Sequence, residues 1–561
     1  MRGFLRVAVA ALFLISIAGL AVVGVATVIE STPQVPTTEA GETTEAGDTT
    51  EAGDTTQATT ETGDTTQVST EQAGVWNGTT HDAELEIDQS DGLSQTELTQ
   101  VVDRAMARVE YVRERPFEER VPVETITRAE YTERTSGSGS ESDAQAQYNR
   151  WNDQVWKALF VVGEDGSSAD AIGATFGSAV GGFYSPSQDR IVLVVSEGEA
   201  LQISEATLVH ELNHAMQDQY HDLTASQLSG RTQDADLAVD GLVEGEANYV
   251  EDRFDKRCGA EWECLSEPSS DDSTPSNLNF GILQTLLQPY QDGPVFIDQV
   301  VRKQGWQAVD QLFENPPETT SQIIHRDLDR ESRQLRFQDT AEAGWETYPS
   351  QGVEGADSVG EASIYVMFWY QAYQYGATTL AESPQAAVQN HVVRPGSFER
   401  EYYDELGYDV AYNYDHPATD GYSNDKLYPY RNTEGETTRD GYVWVTEWQT
   451  EQDAEEFVDA YEAMLAAHSG TALDSGVVGV ADGPFRGAYG VDQNGSTVTI
   501  AHASEPAGVF ELRPEIQPET AVTGSESSES ENTTNSITAE TLVTQNPSNN
   551  LYSAIRRPAS T

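Results

Sequence analysis

The chain has 561 residues, room for two or three ordinary domains, and carries 94 acidic against 31 basic residues for a formal net charge of −63. Such a charge repels nucleic acid and anionic surfaces, so no nucleic-acid partner is expected. The acidity runs along the whole chain, and molar salt, with a Debye length of about 3 Å, would screen the self-repulsion. Charge therefore reports the surroundings the protein is built for and not its substrate.

An uncharged apolar run from Val7 to Ile29 follows Arg2 and Arg6. Its length suits a membrane-spanning helix with the amino end inside, although Gly24-Val25-Ala26 also offers a small-x-small cleavage site. Residues 1–30 are thus expected to be a signal-anchor, or a signal peptide if cleaved, with the remainder outside the cell. Residues 31–79 repeat T-T-E-A-G-[ED] with almost no apolar bulk, which predicts a disordered stalk. Residues 516–561 read as a disordered tail. Asn77-Gly78-Thr79, Asn494-Gly495-Ser496 and Asn532-Thr533-Thr534 are N-glycosylation sequons.

Between the tails, periodicity predicts a mainly helical α+β domain over 80–400 and a small α+β domain over 401–515. Gln95 to Arg113 and Tyr148 to Leu159 read as helices, Val121 to Ile126 as a strand, and Gly182 to Val195 as a hairpin. The pattern is then mostly helical to about Gly376, including the aromatic stretch Ser363 to Tyr375, which is expected to be core. Later come a strand Tyr442 to Glu447, a helix Glu451 to His468 and a hairpin around Asn494-Gly495. Cys258 and Cys264, the only cysteines, are expected to form a small disulfide loop.

The informative stretch is S-E-A-T-L-V-H-E-L-N-H, from Ser204 to His214. Ser204 is a good N-cap for an amphipathic helix, on which His210 and His214 project from one face and can share a metal ion. Glu211 sits beside the first histidine and reaches a water molecule on the metal instead of the metal itself, the H-E-x-x-H arrangement. One zinc ion is the expected cofactor, and it needs a third protein ligand. The best region is D-A-D-L-A-V-D-G-L-V-E-G-E-A-N-Y, from Asp234 to Tyr249, read as a second helix whose Gly241 and Gly245 let the two helices approach closely. Glu244, Glu246 and His221 are the candidates. His221 stands seven residues after His214, the wrong spacing, without a turning glycine, for a third histidine of the metzincin kind.

The pairing of H-E-x-x-H with Glu244-Gly245-Glu246-Ala247 resembles the gluzincin metallopeptidases, whose second helix bears a glutamate ligand in E-G-x-A. The resemblance implies a zincin-like fold with His210, His214 and Glu244 as ligands and Glu211 as general base. It also implies a Tyr or His donor for the reaction's oxyanion, for which His325, Tyr249 and Tyr365 are candidates. The elements H-E-L-N-H-A-M-Q-D-Q-Y-H-D-L, V-E-G-E-A, P-Y-Q-D-G-P-V-F and P-P-E-T-T-S-Q-I-I-H are similar to those of an uncharacterised family of haloarchaeal cell-surface proteins and related bacterial secreted proteins. The acid-rich composition is similar to that of halophilic archaeal proteins.

These readings converge on an exported, membrane-tethered zinc peptidase acting on peptides or proteins. Ile191 to Val195 would be the edge strand that receives an extended substrate. Asp218, Asp240 and Asn248 are the expected hydrogen-bond partners of the histidines. The alternative is a non-catalytic structural or adhesive surface protein with a structural or vestigial zinc site.

Overall fold

The computed structural model describes residues 73–516 except 136–141, 177–180, 196–199, 267, 269–277, 331, 393–401, 406–410, 436–437 and 474–475. The expected leader, nearly all of the stalk and the carboxyl-terminal tail lie outside the described residues. Among the described residues no helix is long and apolar enough to cross a membrane. The architecture is mixed α+β.

Helix α1, Gln95–Arg113, begins at a capping box in which Ser94 and Glu97 serve each other's backbone N–H groups. It buries Leu98, Val101, Val102, Met106 and Val109 against the first metal-helix candidate. Helix α2, Asp143–Ala158, follows a three-stranded sheet's first strand, β1, Val123–Thr127. The sheet is completed by the hairpin of β2, Gly182–Ser185, and β3, Arg190–Val195. Its order is β1-β3-β2, with β3 parallel to β1 and antiparallel to β2. This corrects one expectation: Ile191 to Val195 is the central strand, and β2 is the edge. The run is apolar without alternation because Ile191, Val192 and Leu193 are all buried.

Helix α3, Glu205–His221, starts at Ser204, whose hydroxyl accepts from the Thr207 N–H. Its first residue, Glu205, is buried and ion-paired with Arg104 and Arg108 of α1. Charge burial on this scale is tolerated only when paired, so the clamp fixes where α3 begins. Helix α4, Gln233–Arg257, is capped by Thr232 and ends at Cys258, which forms the expected disulfide with Cys264.

Helix α5, Phe280–Gln304, continues through Pro289 and Pro294. Gly293 lies where the prolines weaken the helix, and it faces Gly241 and Gly245 of α4. A Cβ on Gly245 would stand 2.6 Å from the Gly293 carbonyl carbon. The glycines therefore permit close approach of α4 to α5, not to α3 as expected.

Helix α6, Gly360–Tyr375, is the aromatic stretch, buried nearly throughout and in contact with α4 and α5. A seven-stranded antiparallel sheet completes the structure, in the order β4-β5-β6-β10-β9-β8-β7. Its members are β4 Trp345–Thr347, β5 Tyr422–Asn432, β6 Arg439–Trp448, β7 Thr471–Ala472, β8 Val478–Val480, β9 Gly487–Asn494 and β10 Thr497–Ala503. The sheet thus recruits a strand well before residue 401. Helix α7, Glu451–Ala467, covers it, and the core between them runs on into α2 and α6 through Trp156, Phe368, Trp444 and Tyr461.

Candidate metal centre

His210 and His214 project from α3 toward Glu244 of α4, and all three side chains are buried. The His210 Nε2 to His214 Nε2 distance is 3.1 Å. Glu244 Oε2 lies 3.2 Å from His210 Nε2 and 3.4 Å from His214 Nε2. Ligands held about 2.0–2.1 Å from a tetrahedral zinc ion stand roughly 3.3 Å apart, so the triangle has the spacing that zinc requires. Glu244 Oε1 has no hydrogen-bond partner among the described residues, although it is buried.

The outer nitrogens of both histidines are engaged. His210 Nδ1 lies 3.1 Å from Glu251 Oε2, and His214 Nδ1 lies 2.8 Å from Gln217 Oε1. Gln217 is anchored by donating to the Val243 carbonyl at 2.9 Å. These contacts turn Nε2 of each ring inward, as metal-binding histidines require. The roles expected of Asp218, Asp240 and Asn248 therefore fall to Glu251 and Gln217. Asp218 instead accepts from the Tyr184 hydroxyl at 2.7 Å.

Electrostatics knit the cluster together. Burial opposes the charged form of His210, but Glu244 and Glu251 outweigh it and raise its pKa. Burial would raise Glu244, yet His214 and His210 hold it at about 2. Glu211 is raised, first by burial, with the histidines opposing. A divalent cation would displace protons from the histidines, because ligation needs neutral imidazoles beside an ionised carboxylate. Glu211 Oε2 accepts the Tyr184 backbone N–H of β2 at 2.8 Å, which ties the edge strand to this carboxylate.

The other candidates are elsewhere. Glu246 is ion-paired with Arg113, two residues round α4 from Glu244 and so on nearly the opposite face. His221 stacks on Phe313 at 4.3 Å and lies 3.6 Å from Asp310, two turns down α3 from His214. Tyr249 packs edge-on to Trp306 at 5.5 Å, with the Arg253 guanidinium 4.7 Å from its ring. His325 Nε2 lies 2.9 Å from Glu361 Oε1, in a cluster with Asp415 and Asp420. The Tyr365 hydroxyl meets His391 Nδ1 at 3.1 Å inside the aromatic core. These partners of the three residues all lie outside the triad. The tyrosine that is brought there is Tyr290 of α5, buried beside Glu244, where burial, then the charges of Glu244 and Asp240 and a hydrogen bond with Glu244, and last Glu211 push its pKa well above the ordinary value.

Sequence reasoning missed Tyr290 because the flanking prolines argue against a helix. Its signal was the P-Y-Q-D-G-P-V-F element itself. Glu251 was discoverable: seven residues after Glu244, two turns along α4, it shares that residue's face.

A family model described as a domain of unknown function (DUF8575) matches residues 346–513, the segment that carries most of the seven-stranded sheet. His210, Glu211, His214 and Glu244 lie outside the matched segment. No curated protein and no solved structure matches the chain.

Proposed function

We propose that the chain is a zinc-dependent peptidase with a zincin-like catalytic region, exported and tethered at the cell surface by its amino-terminal segment. The observation that carries this reading is the triangle of His210, His214 and Glu244, with sides of 3.1, 3.2 and 3.4 Å. Zinc held there would supply Lewis acidity toward a substrate carbonyl and toward a water molecule. Glu211 would act there as general base, taking a proton from the attacking water and returning it to the leaving amine. The Tyr184 N–H keeps Glu211 aimed, and the Tyr290 hydroxyl is the donor available to a developing oxyanion. Strand β2, the sheet edge nearest Glu211, is where an extended peptide would add.

One observation favours the second reading, a surface protein with a structural zinc site. Glu211, His210, His214 and Glu244 are each no more than 3 % exposed, and structural sites are closed whereas catalytic ones keep a position open. The two readings part on turnover. Mass spectrometry of the full chain in molar salt should find about one zinc per chain in wild type and little in His214→Ala. Glu211→Gln should retain zinc and lose peptide cleavage by about 10²–10⁴-fold in kcat. Zinc binding with no cleavage of any peptide by wild type would leave the structural reading; no zinc in well-folded wild type would end both.

A further inference from the structure

A cavity of about 440 Å³ opens beside the first turn of α4, walled by Tyr148 and Trp151 of α2 and by the carboxylates of Asp236 and Asp357, with the exposed Arg231 among its lining. Its size falls in the range of ligand sites. Asp236 is 3 % exposed, and its Oδ1 has no hydrogen-bond partner. The Gly230 N–H serves the same carboxylate, and burial followed by the charge of Asp357 raises its pKa. Asp357, also buried, has its Oδ1 accepting from the Gln233 N–H at 2.9 Å and the Ser358 N–H at 2.9 Å. An orphaned, buried carboxyl oxygen is costly unless a proton or a cation answers it.

The chemistry of the walls says which kind of cation. A hard divalent ion takes about six to eight oxygen ligands and gains nothing from the rings of Tyr148 and Trp151. Aromatic rings beside carboxylates suit an organic cation, which gains from ring faces as well as from charge.

The cavity's place along α4 gives its distance from the triad. Asp236, Asp240 and Glu244 recur every four residues, so they follow one another along one face. Asp240 feels the charges of both Asp236 and Glu244. Asp236 therefore stands about 12 Å along the helix axis from the metal-binding carboxylate. An extended peptide advances about 3.3 Å per residue, so the separation corresponds to three or four residues.

We propose that this cavity is a subsite for the ammonium or guanidinium side chain of a Lys or Arg in the peptide substrate, three or four residues from the bond presented to the triad. The proposal rests on the peptidase reading, and its test is read separately from turnover. Acetylated, amidated octapeptides of alanine and leucine carry one lysine at each position in turn, each paired with its norleucine counterpart. They are titrated calorimetrically onto full-length Glu211→Gln in molar KCl. The best lysine peptide should bind at least about tenfold tighter than its counterpart, the scale of one desolvated cation contact. Asp236→Asn should bring the pair within about twofold. Gln145→Lys, which tethers an ammonium to the α2 wall of the cavity, should do the same without touching Asp236. Equal affinity of every pair, undetectable binding included, overturns the subsite, as does a lysine preference that survives both substitutions. A preference without cleavage by wild type would sink the peptidase reading and leave the cavity a binding site for a basic peptide side chain; cleavage without a preference would remove the subsite alone.

Discussion

Glu211 and Glu244 are buried within the same cluster, yet their surroundings drive them apart. Glu244 meets both histidines and is held at about 2, whereas burial dominates at Glu211 and raises it. A carboxylate that stays ionised suits a ligand, and one that can hold a proton suits a general base. Glu251 works through His210, so Glu251→Gln is expected to weaken zinc binding about 10–100-fold while leaving the fold intact. Competition with a chelator of known affinity measures this, and an unchanged affinity would mean that Glu251 does not orient the ring. The spacing of His210, Glu211 and His214 could be read directly, because one helix turn sets it. The choice of Glu244 over Glu246 depended on which face of α4 meets α3 and which meets Arg113.

At the scale of elements, the contact of α4 with α5 holds Glu244 in place. Gly245 adjoins Glu244, and a methyl group there would press on the Gly293 backbone at 2.6 Å. Gly245→Ala is therefore expected to destabilise the fold by about 1–3 kcal/mol and to weaken zinc binding with it. Denaturant unfolding in molar salt measures the first effect; an unchanged midpoint would show that the helices separate without cost. The helices α1, α2, α3, α4 and α7 were legible, since caps and periodicity are local. The center-to-edge order of the small sheet was misread even though the unbroken apolar run Ile191 to Val195 carries the mark of a strand covered on both faces. Helix α5 was obscured by Pro289 and Pro294, which a helix bears only when neighbouring elements support it. Here Tyr403 and Tyr414 donate their hydroxyls to the Gln291 and Gln284 carbonyls of α5.

Across the whole molecule, charge is as much an interior matter as a surface one. Burial raises both Asp234 and Asp357 to about 7 from a usual 3.8. The folded state thus keeps protons that the unfolded chain has released above pH 4. The stability these groups contribute is full below about pH 4 and is lost as pH rises through about 7, on the order of 4 kcal/mol each. Asp234→Asn should gain stability relative to wild type by about that amount between pH 4 and pH 8. Unfolding titrations at the two pH values in molar KCl, where surface repulsion is screened, test it; a constant difference would place the Asp234 proton in neither state's balance.

Composition and short-range spacing were enough to establish an acid-rich chain with low-complexity ends, a disulfide loop, and a capped helix that presents two histidines and a glutamate. Each depends on residues within a few turns of one another, where the peptide geometry leaves little choice. The triangle around Glu244, the arrival of Tyr290 and Glu251, and the separate settings of His221, Tyr249, His325 and Tyr365 depend on how separate helices pack. That packing is settled by buried ion pairs and glycine contacts between segments distant in the chain, such as Arg104 with Glu205 and Gly245 with Gly293. No local periodicity encodes those pairings, because their energy exists only once the elements have met.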